Sequence, residues 1–228
     1  GPHFYIYVVM YFGAILYLSA STVITAREFQ NRSRLLIYPL ILFVMAETII
    51  QVALPELHVT WLCVTLLSVL YFIYCSEMWN QLDALTGLLN QNSYLKQTGG
   101  VRYKGGVLVV FDVDDFKQIN ARYGHIQGDL CLAGIAECIK KSYANFGYCY
   151  RIGGDEFCVL LKNGGNEGRC KQEFLQRLQE KRGEIAFLPT VSYGSAPFSG
   201  EDIVKVKDRA DQDMYQYKKE RKNRKRLS

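Results

Sequence analysis

The chain has 228 residues, 49% of them hydrophobic and 21% charged, with a formal net charge of +5. That length allows one ordinary domain and something smaller. Seven cysteines, at positions 63, 75, 131, 138, 149, 158 and 170, make no C-x-x-C pair and neighbour no histidine cluster; this excludes a zinc module and a disulfide framework, and most of them read as small apolar core residues in a reducing compartment.

The average composition conceals a break near residue 78. Residues 1–78 carry three basic side chains (Arg27, Arg32, Arg34) against four acidic ones (Glu28, Glu47, Glu56, Glu77), a net charge of −1. The remaining 24 basic and 18 acidic side chains follow it, a net charge of +6. The opening Gly1-Pro2-His3 is read as the remnant of a protease cut and set aside. Three apolar stretches come next, at about 4–25, 35–54 and 57–76, of which the first and third carry no charge and the second only Glu47. Each has about 20 residues, the length a helix needs to cross a bilayer. The loop AREFQNRSR holds three arginines and the second loop is a short PELH. Cytoplasmic loops collect Lys and Arg, so the carboxy-terminal part is expected inside the cell, with residues 4–78 anchoring it in a membrane.

A globular part is expected from residue 79 to 228. GVLVVFDV (106–113) is an unbroken apolar run and predicts a buried strand. Residues 114–122 predict a short helix and 127–143 a longer one. The runs 148–152 and 157–161 flank Gly153-Gly154-Asp155-Glu156, the pattern of a hairpin. A helix over 166–182, a strand region over 187–196 and a last helix over 201–220 complete an alternating α/β order.

The carboxylates carry the chemistry. Asp112 ends the first predicted strand, with Asp114 and Asp115 just beyond, and Asp155 sits at the predicted hairpin tip. If strand and hairpin are neighbours, Asp112 and Asp155 converge with no His or Cys near them. Such a hard oxygen site suits Mg²⁺, or Mn²⁺, held together with substrate phosphates. The cation would also offset the repulsion between Asp155 and Glu156. Gly153 and Gly154 would let a bulky ligand approach the backbone. Lys117 follows at the start of a predicted helix, where backbone amides favour an anion. Lys218 and Lys222 lie four apart on the last helix. Asn120 and Asp129, on either side of Tyr123-Gly124-His125, have groups that suit a guanine edge. The bland readings are a polar turn at Asp155-Glu156, a helix cap at Asp115, a turn histidine at His125 and a solvated face at Lys218.

Five segments in order resemble the GGDEF family of diguanylate cyclases: DALTGLLN (83–90), FDVDDFKQIN (111–120), YGHIQGD (123–129), RIGGDEF (151–157) and ADQDMYQYKKERKNR (210–224). The resemblance implies a palm-like α/β domain, a mainly antiparallel central sheet flanked by helices. It implies that Asp112, Asp155 and the Val113 carbonyl hold the metal, and that Asp155, Lys117 and Glu156 serve catalysis. Phe116, Asn120, His125, Asp129, Gly153, Gly154, Lys218 and Lys222 would bind substrate. The implied reaction joins two GTP into cyclic di-GMP at the face between two such domains, so a homodimer is required. The competing expectation is a silent GTP-binding module of the same family. Its motive is a set of departures: Asp213 and Tyr217 stand where small residues are usual, Arg221 for a glycine and Lys222 for an arginine. The family's product-inhibition motif, an R-x-x-D upstream of the signature, is matched here by Ala144 and Gly147, so no feedback site is expected there. The basic run from Lys218 to Arg226 could touch anionic lipid; with no aromatic platform beside it, nucleic acid is not expected as a partner.

Overall fold

The computed structural model describes residues 60–99, 105–162 and 164–227, with isolated positions before residue 60. The chain divides into two compact units, Gly1–Asn80 and Gln81–Ser228. In the first unit one helix is described along its length, α1 (Thr60–Trp79). Its Leu66, Val69, Phe72 and Ile73 are exposed. Among the described residues no helix is long and apolar enough to cross a membrane. Residues 60–76 of the third expected span lie on α1. The expected spans 4–25 and 35–54, and residues 57–59 of the third, lie outside the described residues apart from isolated positions.

The second unit is built on a four-stranded sheet of order β2-β3-β1-β4, with β1 Gly106–Val113, β2 Gly147–Arg151, β3 Glu156–Leu161 and β4 Val191–Phe198. All neighbours pair antiparallel. The helices are α2 (Gln91–Thr98), α3 (Phe116–Tyr123), α4 (His125–Tyr143), α5 (Glu167–Glu184) and α6 (Ile203–Leu227). The sequence pattern gave no signal for α2; it is short and polar, and Asn90 caps it by accepting from the Ser93 amide at 2.9 Å.

The unbroken apolar character of β1 follows from burial on both faces. Val107, Val109, Phe111 and Val113 point into one core with Leu132, Ile135 and Ile139 of α4 and Phe174 and Leu178 of α5. Leu108 and Val110 point the other way, with Tyr94 of α2 and Val206 and Ala210 of α6. Phe111 meets Tyr143 and Phe174 edge-on, at 5.7 and 5.1 Å between ring centroids. Five of the cysteines, 131, 138, 149, 158 and 170, are buried free thiols. Burial pushes the Cys149 thiol up to about 12, which keeps it a protonated, inert packing group.

This topology decides where chemistry can sit. Because β1 runs antiparallel to both β3 and β4, its carboxy-terminal end lies beside the amino-terminal ends of both neighbours. Asp112 faces Glu156 on one side and Ser192 on the other.

Candidate functional site

The site forms at that edge of the sheet. Asp112 follows Leu108 and Val110 onto the face that α6 covers. The Val113 amide donates to the Asp155 carbonyl at 3.1 Å, which ties the strand end to the hairpin tip. Asp112, Asp155 and Glu156 thus share one edge. The tip is closed by Ile152 and Gly153 amides donating to the Glu156 carbonyl, at 3.0 and 3.3 Å. Gly153 and Gly154 are not among the glycines with positive φ, so the bend itself does not demand them. At Gly154 a Cβ would meet nothing within 4 Å. Neither backbone strain nor packing accounts for that glycine, and it leaves an open surface at the tip.

The hairpin is held from its outer edge by the segment 83–90. Gly87, at φ 63°, turns this segment back on itself, and its amide donates to the Asp83 carbonyl at 2.9 Å. Leu89 then pairs with β2, its amide donating to the Cys149 carbonyl at 3.0 Å while the Arg151 amide donates to the Leu89 carbonyl at 2.8 Å. The Arg151 side chain completes the clamp. Its Nη1 lies 3.0 Å from Asp83 Oδ1, and its Nη2 and Nε donate to the Gly154 carbonyl at 2.7 and 3.2 Å. Burial works to raise the Asp83 carboxyl, but hydrogen bonds from Thr86 and Arg151 outweigh it and hold the group below its ordinary value.

Basic side chains of α6 reach the same edge. Lys218 Nζ lies 2.5 Å from Asp112 Oδ1 and 3.4 Å from Asp114 Oδ1. Burial would lower the Lys218 amine, yet the two carboxylates more than offset it and leave it raised. Asp114 is buried and fully engaged: Ser192 and Thr190 hydroxyls donate to it at 2.8 and 2.9 Å, and Arg221 lies 2.9 Å away. It is therefore an anchor for α6 and β4. Asp115 occupies the amino end of α3 but makes no side-chain cap; it is held at φ 54°, in the left-handed region. The capping expectation for Asp115 is corrected accordingly: its backbone is left-handed instead of the extended conformation usual at an N-cap, and its side chain makes no cap hydrogen bond.

The remaining expected residues line α3 and α4. Lys117, His125 and Asp129 are exposed, and Phe116 is half-buried against the core. Asn120 is half-buried and its Oδ1 has no hydrogen-bond partner among the described residues. Gly128 is what admits it: a Cβ there would stand 1.9 Å from that oxygen and 3.3 Å from the Phe116 ring. A buried amide oxygen without a partner is costly in a finished core and is usual where a ligand completes the bond. The Lys222 side chain lies outside the described residues. Two residues of the site were not singled out by the sequence pattern as chemistry, Asp83 and Arg151. Arg221 drew notice only as a departure from the family.

For a cation, the edge offers carboxylate oxygens and main-chain carbonyls and no nitrogen or sulfur donor. Among the described residues no group of three or more His, Cys, Asp or Glu is gathered tightly enough to hold an ion alone. Mg²⁺ is characteristically held by one or two carboxylates with substrate phosphates supplying the rest. Asp112, which already attracts the Lys218 ammonium, fits such a partial site.

The sheet is palm-like, with carboxylates at the end of β1 and at the tip of the β2–β3 hairpin. The profile described as "Diguanylate cyclase, GGDEF domain" matches residues 80–224, and the chain belongs to this family. It is 35% identical over 159 residues to the diguanylate cyclase DgcP of Pseudomonas aeruginosa, covering 62% of this chain and 23% of that protein. It is 32% identical over 154 residues to the diguanylate cyclase DgcS of Shewanella oneidensis, covering 64% of this chain and 52% of that protein. The chain therefore spans between about a quarter and about half of the length of these two relatives. Among solved structures, the isolated GGDEF domain of YfiN (TpbB) from Pseudomonas aeruginosa is similar at 25% identity and a TM-score of 0.50, covering 61% of this chain and 89% of that one. The diguanylate cyclase SiaD from Pseudomonas aeruginosa has a TM-score of 0.56 over 96% of this chain and 85% of that one; at 22% identity this likeness shows the fold alone.

Proposed function

We propose that the chain is a diguanylate cyclase that condenses two GTP into cyclic di-GMP with release of two pyrophosphates. The observation that carries this reading is the shared edge: Asp112 in register with Glu156, and the Val113 amide bonded to the Asp155 carbonyl. In this reading the other groups take the following roles. Asn120, with its unpartnered oxygen, and Asp129 read the guanine edge, with His125 and Phe116 beside them. Lys218 and Lys222 take the triphosphate. Asp155 draws the proton from the attacking 3′-hydroxyl, and Glu156 keeps the tip anionic. Lys117 steadies charge on the phosphoryl oxygens as the new phosphodiester forms and the bond to pyrophosphate breaks. The open backbone at Gly154 lets the nucleotide lie against the tip, and the bare Gly153 leaves room for the Glu156 side chain, which a Cβ there would meet at 3.2 Å. Mg²⁺, or Mn²⁺, held by Asp112, Asp155 and the Val113 carbonyl, would neutralise phosphate charge and sharpen the nucleophile. Positioning and electrostatics supply most of such catalysis.

Each domain holds one GTP, and each 3′-hydroxyl attacks the nucleotide of the other domain, so two copies of the chain must meet face to face. No feedback binding of cyclic di-GMP is expected at Ala144 and Gly147. Ala144 has no polar group, and any side chain at position 147 would stand 2.4 Å from the Leu160 carbonyl oxygen. Titration of the chain with cyclic di-GMP tests this; dose-dependent inhibition through that place would refute it.

Attachment to a bacterial inner membrane, with the catalytic domain in the cytoplasm, belongs to the same proposal. Its support is the two charge-free stretches, the arginine-rich first loop and the basic run from Lys218 to Arg226 facing anionic lipid. Alkaline extraction of cell membranes tests it, and release of the chain into the soluble fraction would sink it. The activity is tested by incubating the protein with GTP and Mg²⁺. Continuous pyrophosphate release with a cyclic dinucleotide product supports the enzyme. GTP binding without turnover would make the chain the silent module, and a predominantly adenine-containing product from a GTP/ATP mixture would overturn the guanine assignment.

A further inference from the structure

We propose that Asp213, Tyr217 and Arg221 form a zip between α6 and β4 that sets the position of Lys218, and so act as positioning residues for the site; the functional half of this inference rests on the cyclase reading. The three residues lie four apart and share one helix face. Each meets the strand two residues further back than the one before. Asp213 accepts from the Ser195 amide at 2.9 Å. The Tyr217 ring lies 4.5 Å from that of Tyr193 between centroids. The Arg221 guanidinium donates to the Thr190 hydroxyl and to the Val191 carbonyl, the latter at 3.4 Å. Four residues of helix rise about 6 Å and two residues of strand about 6.7 Å. The two repeats therefore stay in step over the three rungs.

The rest of the interface is shaped for this close approach. At Gly194 a Cβ would stand 2.2 Å from the Ala210 carbonyl oxygen and 2.2 Å from the Met214 amide. β4 is an edge strand, so the outward Ser195 amide has no strand partner, and the Asp213 carboxylate takes it. The residues at 213, 217 and 221 are also the departures from the family pattern noted in the sequence. Here they make one continuous surface, so they replace a set of small residues together instead of eroding the site one by one.

Lys218 is placed by the last two rungs. It follows Tyr217 directly, and Arg221 lies three residues beyond it. Asp114 links the two cations, with Oδ1 facing Lys218 at 3.4 Å and Oδ2 facing Arg221 at 2.9 Å. With Arg221 on Oδ2, Lys218 is left to lean on Asp112 at 2.5 Å. Without it, the buried Asp114 charge has one cation left to draw on, and Lys218 is drawn from Asp112 towards Asp114.

The test uses the full chain and four variants: Arg221→Gln, which keeps helix propensity, Arg221→Lys, Lys218→Ala, and Arg221→Gln with Lys218→Ala. The first readout needs no nucleotide. The rate of Lys218 acetylation is followed by mass spectrometry, with circular dichroism to confirm that each variant is folded. Arg221→Gln is expected to change that rate about five-fold, and Arg221→Lys to restore it to within about two-fold, because a cation on Oδ2 is what the position supplies. The second readout is binding of a fluorescent GTP analogue with Mg²⁺. Each single change is expected to weaken binding about ten-fold and the double change no more than the worse single one, since residues that act as a unit are not additive. A Lys218 rate unchanged in Arg221→Gln, or losses that multiply in the double variant, would overturn the proposal. If the unmodified chain binds no GTP, the cyclase reading fails, while the acetylation rates still decide whether the zip holds Lys218.

Discussion

Arg151→Ala tests how the hairpin tip is held. The change removes three hydrogen bonds: one to Asp83 at 3.0 Å and two to the Gly154 carbonyl at 2.7 and 3.2 Å. The paired side chains are 14% and 25% exposed. That places the pair between surface ion pairs, worth about 0–1 kcal/mol, and fully buried ones, whose breakage costs about 3–5 kcal/mol. What remains behind sets the figure. Asp83 keeps the Thr86 hydroxyl at 2.7 Å and the Thr86 amide at 2.9 Å, so its charge is not orphaned. Gly154 is exposed, and its carbonyl can turn to water. The expected loss is therefore about 2 kcal/mol, or about 4–8 °C in Tm for a unit of this size. Turnover should fall further, by about 10- to 100-fold, because Asp155 is carried by the tip that loses its tether, and small displacements are costly in catalysis. Thermal unfolding followed by circular dichroism, together with pyrophosphate release from GTP, reads both. A Tm within about 1 °C of the unmodified chain would refute the clamp. So would an Asp83→Asn change whose loss adds fully to that of Arg151→Ala, since partners in one network should couple.

Asp155→Ala is expected to abolish turnover and leave Tm within about 2 °C, because the half-buried residue sits at a hairpin tip and not in a core; parallel assay and melting curves check it, and retained turnover would remove Asp155 from catalysis. Gly128→Ala should place a methyl group where Asn120 Oδ1 now lies, 1.9 Å away, and weaken GTP binding at least about ten-fold for a stability loss of about 1–2 kcal/mol; unchanged affinity in a titration would show that Asn120 does not read the base. Gly194→Ala meets the α6 backbone at Ala210 and Met214 and should cost about 1–3 kcal/mol in urea unfolding as α6 is pushed from β4, and an unchanged midpoint would contradict the close approach. The acid side has a defined sign: Asp83 is lowered from 3.8 in the folded chain, so its contribution is whole above about pH 4 and is lost as the pH falls through the folded value. Unfolding curves at pH 7 and about pH 3 should therefore differ less in Asp83→Asn than in the unmodified chain, and equal differences would refute the assignment.

Much of this was legible in the sequence for a physical reason. The strands β1 and β3 are buried on both faces, so they read as apolar runs, and the hairpin between β2 and β3 is local enough to mark itself with glycines and polar residues. The carboxylates at 112 and 155 could be paired from those two elements alone, because antiparallel neighbours bring a strand end beside a turn. Helix α2 escaped notice because a short polar helix leaves little hydrophobic period. The capping reading of Asp115 missed because its backbone is left-handed, not extended as an N-cap residue usually is.

The sequence by itself determined the two-sided strands, the glycine-built bend with its acidic tip, and the order of motifs that places the chain in its family. Only the tertiary structure decided what Asp83, Arg151, Asp114 and Arg221 do. Each acts on a partner far away in the chain: Arg151 on Asp83, 68 residues apart, and Asp114 on Ser192, 78 residues apart. Contacts between single polar side chains at such separations impose no period and no turn on the residues around them. They exist only once the sheet order and the docking of α6 on β4 have brought the two ends of the domain together.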